Sequence, residues 1–316
     1  MSEIDVLVMV PCRPEQLKTL EQRYRLHRFD LADESGKEAM LLTHGAAIRA
    51  VVTTHTGGFT EALLDRLPNV EIVAVASVGY DTVCVDACAK RGIPVTNTPD
   101  VLTNDVADMA LMLLLTTVRR LLNGVNWIQN GHWQSKGMMA LNTSLTGKRV
   151  GIVGLGRIGK AIAVRCEAFG LQPCYYGRRE QKDVSYPWFS DLEKLAEQVD
   201  VMIVAVPGGA DTQGLISKKV LLALGKQGYF INIARGSVVD ENALIDVLVS
   251  GEIKGAGLDV FVDEPNVPEA LLTLDNVVLQ PHCASGTEET RSAMSQLVVD
   301  NLNAHFTGQS LLTPIR

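Results

Sequence analysis

Short apolar runs alternate with amphipathic stretches along almost the whole chain. In the first hundred residues, apolar and β-branched runs at 5–10, 24–29, 50–54, 70–76 and 93–97 read as strands. Residues 14–23, 60–67 and 83–91 carry helical spacing between them, and a polar stretch at 33–37 leads into a further helix. Pro68 and Gly92 close two of these helices. Strand and helix alternating at such short spacing predict a parallel sheet covered by helices.

Residues 104–122 break that rhythm. They predict one long helix, apolar around nearly its whole surface, with Asp105 and Asp108 early and Arg119 and Arg120 late. That charge order suits the helix dipole. The apolar surface exceeds one packed face, so burial between elements or between subunits is expected. Residues 131–146, with Trp133 and Met139, read as loop and as a candidate subunit arm. From Leu145 a second alternation begins. Strands are predicted at 149–153, 173–176, 201–206, 229–233, 255–259 and 277–279, and helices at 160–169, 191–198, 218–224 and 242–250. This is the pattern of a doubly wound sheet. Residues 288–306 read as one long helix, able to return the chain to the first domain.

The second alternation opens on Val150-Gly151-Ile152-Val153-Gly154-Leu155-Gly156-Arg157-Ile158-Gly159. Gly154, Gly156 and Gly159 stand as G-x-G-x-x-G, in the order strand, turn, helix that a dinucleotide site needs. The first glycine allows the tight turn, the second the approach of a pyrophosphate, the third close packing of helix on strand. The helix start adds unsatisfied N–H groups and a positive dipole end.

Composition narrows the rest. At 316 residues, two domains are expected. A hydrophobic fraction of 47% and a charged fraction of 21% are those of a soluble globular protein. A net charge of -7 argues against nucleic acid or an anionic membrane as the main partner. It leaves room for a small anionic substrate, which needs only a local positive site. Cys12, Cys84, Cys88, Cys166, Cys174 and Cys283 are scattered without a C-x-x-C pair, so no metal site and a reducing compartment, the cytoplasm, are expected. The chain opens with Ser2, Glu3 and Asp5 around one short apolar run, without a signal-peptide pattern. The apolar segment 109–118 is too short to span a bilayer.

The tip of the second strand of the dinucleotide unit selects the cofactor. An acid there accepts from the ribose hydroxyls of NAD, whereas arginine accommodates the 2′-phosphate of NADP. Here the strand ends Tyr175-Tyr176-Gly177-Arg178-Arg179-Glu180. No acid stands at the tip, and Arg178 and Arg179 follow, so NADP(H) is the predicted cofactor. Glu180 either pairs with one arginine or faces solvent.

Three polar residues fall just after later strands, where ligand loops belong. Arg235 lies in Ile231-Asn232-Ile233-Ala234-Arg235-Gly236, Glu264 in Asp259-Val260-Phe261-Val262-Asp263-Glu264-Pro265, and His282 in Gln280-Pro281-His282-Cys283-Ala284-Ser285. Together they meet the needs of nicotinamide chemistry on a keto acid. His282 would be general acid for reduction and base for oxidation, and Glu264 would favour its charged ring. Arg235 would bind the carboxylate and offset charge developing on the carbonyl oxygen.

With these motifs in order, the chain resembles the D-isomer-specific 2-hydroxyacid dehydrogenase family over essentially its full length. The stretch Asn97-Thr98-Pro99-Asp100-Val101-Leu102-Thr103-Asn104-Asp105-Val106-Ala107-Asp108 also resembles that family's hinge and helix. Within the family the likeness is to glyoxylate/hydroxypyruvate reductases, including hydroxyphenylpyruvate-type reductases of plants. The resemblance implies two doubly wound parallel-sheet domains. A Rossmann cofactor domain at 100–285 is inserted in a flavodoxin-like substrate domain at 1–99 and 286–316. It implies that the loop of Ser77, Val78 and Gly79 binds the substrate carboxylate through backbone N–H groups, with Arg235 as a further contact. It places Val106, Leu155, Arg157, Ile158, Val206, Pro207, Thr212, Ile233, Ala234, Asp259 and Ser285 along the cofactor, with Arg235 and His282 beside it. It further implies a homodimer built on the cofactor domains. Cys283 and Ala284 depart from the family's usual residues without removing a catalytic group. No regulatory extension follows Arg316, so the phosphoglycerate dehydrogenases that carry one are the less expected subfamily.

The expected activity is NADPH-dependent reduction of glyoxylate or hydroxypyruvate to glycolate or D-glycerate. Two alternatives stay open: a reductase of a bulkier 2-keto acid of the 2-ketogluconate or phenylpyruvate type, and a dinucleotide-sensing, corepressor-like scaffold.

Overall fold

The computed structural model describes residues 4–315; Met1 to Glu3 and Arg316 lie outside the described residues. The chain divides into two compact units, Met1–Leu102 with Gly286–Arg316, and Thr103–Ser285.

The first unit is built on five parallel strands, β1 (Ile4–Val8), β2 (Tyr24–Arg28), β3 (Ile48–Thr53), β4 (Ile72–Val75) and β5 (Val95–Thr96). Their order in the sheet is β2-β1-β3-β4-β5, the flavodoxin-like order. Both faces are covered, so β1, β3 and β4 are buried almost throughout and read as unbroken apolar runs rather than alternating ones. Leu7, Val51, Val73 and Val75 pack with Phe59, Leu64 and Cys88 on one face. Val6, Val8, Ala50, Ile72 and Ala74 pack with Leu20, Val298 and Leu302 on the other. The last two belong to the helix Glu288–Phe306, which therefore completes this unit. The Thr287 side chain caps that helix by accepting from the Thr290 N–H, a contact worth about 1 kcal/mol. The tail beyond runs antiparallel to β5, with Thr96 bridged to Pro314 and the Ile315 N–H donating to the Val95 carbonyl at 2.8 Å.

The second unit is built on seven parallel strands, β6 (Arg149–Val153), β7 (Gln172–Tyr176), β8 (Trp188–Phe189), β9 (Val201–Val204), β10 (Tyr229–Asn232), β11 (Gly255–Leu258) and β12 (Val277–Leu279). Their order is β12-β11-β10-β9-β6-β7-β8. The six strands in the order β8-β7-β6-β9-β10-β11 follow the dinucleotide-binding pattern, with β12 added beside β11 and the chain reversing direction across the sheet between β6 and β9. The two-residue edge strand β8 was not expected, because two residues carry no periodicity.

The predicted helix at 104–122 is not one helix. It runs Thr103–Val118, and a second helix, Leu121–Gln129, follows. Arg120 between them is left-handed, with φ 48°, and its guanidinium meets Asp275 at 2.9 Å. Apolar spacing continues through Leu121, Leu122, Val125 and Ile128, so the hydrophobic pattern contains no stop signal. The predicted loop at 131–146 also needs correction, since it opens with a short helix, His132–Lys136. Trp127 holds that turn, donating from its indole nitrogen to the Gly137 carbonyl at 2.9 Å and meeting the His132 ring edge-on. The first helix buries Leu111, Leu113 and Leu114. Beyond Arg120 the side chains are exposed instead, Ile128 by 61%, Trp133 by 63% and Leu141 by 92%. They line an apolar groove of ≈ 910 Å³.

Candidate active site

In the second unit every strand is parallel, so every candidate group that follows a strand lies along one edge of the sheet. The glycine turn follows β6, Arg178 and Arg179 follow β7, and Val206 and Pro207 follow β9. Arg235, Glu264 and His282 follow β10, β11 and β12.

The three glycines of the turn have three different reasons. Gly154 has φ +96°, and a Cβ there would also lie 2.7 Å from Val206 Cγ1. A Cβ on Gly159 would sit 2.2 Å from the Gly154 carbonyl oxygen, so only glycine lets the helix Arg157–Ala168 lie this close to β6. A Cβ on Gly156 would meet nothing within 4 Å. The space beside Gly156, at the helix start, is open. These residues fit a dinucleotide pyrophosphate, held by the helix N-terminus and approached by backbone. Leu155 is buried; Arg157 and Ile158 open the helix.

Arg178 and Arg179 are both exposed, and Arg178 reaches Asp211 only at 3.9 Å. Exposed charges at that distance attract weakly in water, so the Arg178 guanidinium remains available to an anion. Their loop is tied back at two points. Gln181 donates from Nε2 to the Leu155 carbonyl at 2.7 Å, and its backbone N–H donates to the Tyr175 hydroxyl at 2.7 Å. Trp188 on β8 donates to the Gly177 carbonyl at 3.0 Å. The arginine loop and the glycine turn are thus one hydrogen-bonded assembly.

His282 Nδ1 and Glu264 Oε2 are 2.6 Å apart. A carboxylate oxygen accepts, so Nδ1 carries the proton and Nε2 is left to exchange one. The other Glu264 oxygen accepts from the Phe261 N–H at 3.0 Å, which fixes the carboxylate plane. The two side chains are 24% and 27% exposed, so their attraction is only partly screened by water. His282 itself is in the left-handed region, at φ 49°. Non-glycine residues seldom occupy that region, and they do so where their surroundings hold them. Asp259 supplies the hold. Its carbonyl accepts from the His282 N–H at 2.8 Å, and its two carboxylate oxygens accept from the Cys283 and Ala284 N–H groups at 2.9 and 3.0 Å. Burial pushes the Asp259 carboxyl above the usual carboxylate range, against the opposing pull of those N–H groups and the nearby His282.

Arg235 is extended and half-buried, and donates from Nη1 to the Ala234 carbonyl at 2.7 Å. Asn232 shapes its turn, accepting from the Ala234 N–H and donating to the Arg235 carbonyl, both at 3.0 Å. Ile233 and Ala234 are buried beside it. Thr212 donates to the Pro207 carbonyl at 2.7 Å, closing the loop after β9. Val106 is buried on the helix Thr103–Val118, and Ser285 closes the His282 loop.

Ser77, Val78 and Gly79 follow β4 in the first unit. Val78 and Gly79 are half-buried. Ser77 is buried and its hydroxyl is engaged, donating to the Gly79 carbonyl at 2.7 Å and accepting from the His55 N–H at 3.0 Å. The serine therefore braces the loop.

A family model described as D-isomer specific 2-hydroxyacid dehydrogenase, NAD binding domain, matches residues 111–284. The chain belongs to that family. This dehydrogenase is 48% identical over 315 residues to a glyoxylate/hydroxypyruvate reductase A of Arabidopsis thaliana, covering 100% of each chain. It is 44% identical over 315 residues to a hydroxyphenylpyruvate reductase of Plectranthus scutellarioides, again over 100% of each. It is also similar to the crystal structure of an NADPH-dependent glyoxylate/hydroxypyruvate reductase from Sinorhizobium meliloti in complex with NADP and malonate. There the TM-score is 0.91 at 44% identity, covering 99% of this chain and 97% of that one. No helix among the described residues of this dehydrogenase is long and apolar enough to cross a membrane.

Sequence reasoning passed over Gln181 and Asn232, and gave Asp259 no bond to the His282 loop. Each acts by hydrogen bonding to backbone, which leaves no residue-type signature at a fixed spacing. Asp259 alone had a signal, as an acid ending an apolar strand, where an unpaired charge would be costly.

Proposed function

We propose that this dehydrogenase reduces glyoxylate or hydroxypyruvate to glycolate or D-glycerate with NADPH. The observation that carries the reading is the 2.6 Å pair of His282 Nδ1 and Glu264 Oε2. When bound, the nicotinamide supplies a hydride to the 2-keto carbon. His282 Nε2 delivers the proton to the keto oxygen, and Glu264 stabilises the charged ring before that transfer. Arg235 offsets the negative charge that grows on the oxygen. The backbone N–H groups of Val78 and Gly79 hold the substrate carboxylate. Arg178 and Arg179 take the 2′-phosphate, a choice supported by the missing acid at the tip of β7 and by the NADP complex of the Sinorhizobium relative.

A reductase of a bulkier 2-keto acid is the second reading, favoured by the 44% identity to a hydroxyphenylpyruvate reductase. A dinucleotide-sensing scaffold is the third, and the 48% identity to a glyoxylate/hydroxypyruvate reductase over the whole chain supports turnover over sensing. A homodimer covering the apolar groove at Ile128, Trp133 and Leu141 is part of the proposal, since apolar patches of that kind mark contact sites. The cytoplasm is the proposed compartment, supported by six cysteines of which none is in a disulfide.

One side-by-side assay tests this. NADPH oxidation is followed with glyoxylate, hydroxypyruvate, 2-ketogluconate and hydroxyphenylpyruvate, and repeated with NADH. The expected result is the highest kcat/KM for hydroxypyruvate or glyoxylate with NADPH. A higher value for either bulky acid moves the assignment to the second reading. Tight NADPH binding without turnover of any 2-keto acid moves it to the third.

A further inference from the structure

The Ser77 to Gly79 loop has its carbonyls tied down one after another. The Ser77 carbonyl accepts from the Thr98 N–H at 3.1 Å, the Val78 carbonyl from Asn97 Nδ2 at 2.9 Å, and the Gly79 carbonyl from the Ser77 hydroxyl at 2.7 Å. In a planar trans peptide the carbonyl of one residue and the N–H of the next point in opposite directions. Pinning these three carbonyls therefore turns the N–H groups of Val78, Gly79 and Tyr80 the other way. Among the described residues, none of these three N–H groups donates within the protein. The result is three successive main-chain donors, each held opposite a pinned carbonyl, and successive backbone N–H groups of this kind bind anions.

The middle clamp, Asn97, is held in turn by the C-terminal segment. The Asn97 carbonyl accepts from the Thr313 hydroxyl at 2.6 Å, and the Asn97 N–H donates to the Thr313 carbonyl at 3.3 Å. The Thr313 hydroxyl accepts from Asn301 Nδ2 at 2.9 Å. Asn301 is 1% exposed, on the helix Glu288–Phe306, and its amide is fully used. It also donates to the Leu297 carbonyl at 2.8 Å and accepts from the Leu312 and Thr313 N–H groups at 3.0 and 3.2 Å. A satisfied buried amide of this kind fixes geometry. The path runs from Asn301 through Thr313 and Asn97 to the Val78 carbonyl, all inside one unit.

We infer that Asn97, locked by Thr313 and Asn301, is a positioning residue that aims the carboxylate-binding amides. This rests on the proposed role of Val78 and Gly79 and deepens it. Asn97 touches no reacting atom in this scheme. It sets how well a carboxylate is held, so its loss falls on KM and leaves the cofactor end alone.

The test compares Asn97→Ala, Thr313→Val and Thr313→Ser with the intact protein. The readouts are kcat, KM for hydroxypyruvate, the inhibition constant of oxamate, the NADPH dissociation constant and the melting temperature. Asn97→Ala is expected to raise KM and the oxamate constant together by about tenfold, with NADPH binding and kcat near wild type. Thr313→Val moves both the same way by a smaller factor, and Thr313→Ser restores wild-type values. A folded Asn97→Ala with unchanged KM and oxamate constant overturns the inference. So does a rise of KM and the NADPH constant together, which marks general loosening. If Asn97→Ala does not fold, the Thr313 pair decides by the same criteria. A wild-type protein that turns over no 2-keto acid and binds no oxamate refutes the proposed function, and this inference with it. An active wild type with an indifferent Asn97→Ala refutes the positioning role alone.

Discussion

The two parallel sheets carry different kinds of chemistry at the loops that follow their strands. After β10, β11 and β12 the proposed working groups are side chains: Arg235, Glu264 and His282. After β4 they are the N–H groups of the main chain at Val78, Gly79 and Tyr80, with side chains bonded behind them. In the first case a residue's identity is the function. In the second, identity at the contact is nearly irrelevant, and the residues that matter are the ones holding the carbonyls. The same contrast repeats inside the second unit. In the proposed cofactor site, Gly156 and its neighbours offer backbone to a pyrophosphate, whereas Arg178 and Arg179 offer side chains to a phosphate.

That contrast can be broken by substitution. The largest effect is expected at His282. Removing a general acid costs about 10²- to 10⁴-fold in rate, so His282→Ala should lose kcat by that factor in stopped-flow or steady-state assays. NADPH binding, followed by fluorescence, should stay as in wild type. Lost NADPH binding with turnover intact would reverse the assignment of His282. Next comes the double change Arg178→Ala with Arg179→Ala. Loss of charge-assisted hydrogen bonds should weaken NADPH by roughly tenfold to a hundredfold and leave NADH as it was. Equal weakening of both nucleotides would show that the arginines act on something other than the 2′-phosphate. The smallest effect belongs to the main-chain site. Val78→Ala keeps the same N–H group, so KM for hydroxypyruvate should stay within about threefold. A collapse of activity there would mean that the valine side chain, and not the backbone, does the binding.

Legibility in the sequence follows the same division. The strands were readable because sheets covered on both faces demand continuous apolar runs, as at Val150 to Val153 and Ile72 to Val75. The glycine turn was readable because Gly154 and Gly159 meet steric demands that no other residue satisfies, while Gly156 leaves the space at the helix start open. The order of Arg235, Glu264 and His282 along successive strands was readable because a parallel sheet delivers every strand end to one edge. The break at Arg120 was not, since a left-handed residue held by Asp275, more than a hundred residues later, leaves the local apolar spacing unchanged. Nor was the short helix at His132, which rests on the Trp127 bond to Gly137.

What the sequence determined by itself is the inventory: two β/α alternations, one dinucleotide turn, two arginines where an acid could have stood, and one histidine with one acid to serve it. Those are local properties of spacing and side-chain type. The tertiary structure alone decided which groups touch. It set Glu264 against Nδ1 of His282, bound Asp259 to the backbone of the His282 loop, and ran Asn301 through Thr313 and Asn97 to Val78. Hydrogen bonds act over about 3 Å in space and are indifferent to separation along the chain. A site aimed by pinned carbonyls therefore becomes visible only when the fold has brought its distant holders into reach.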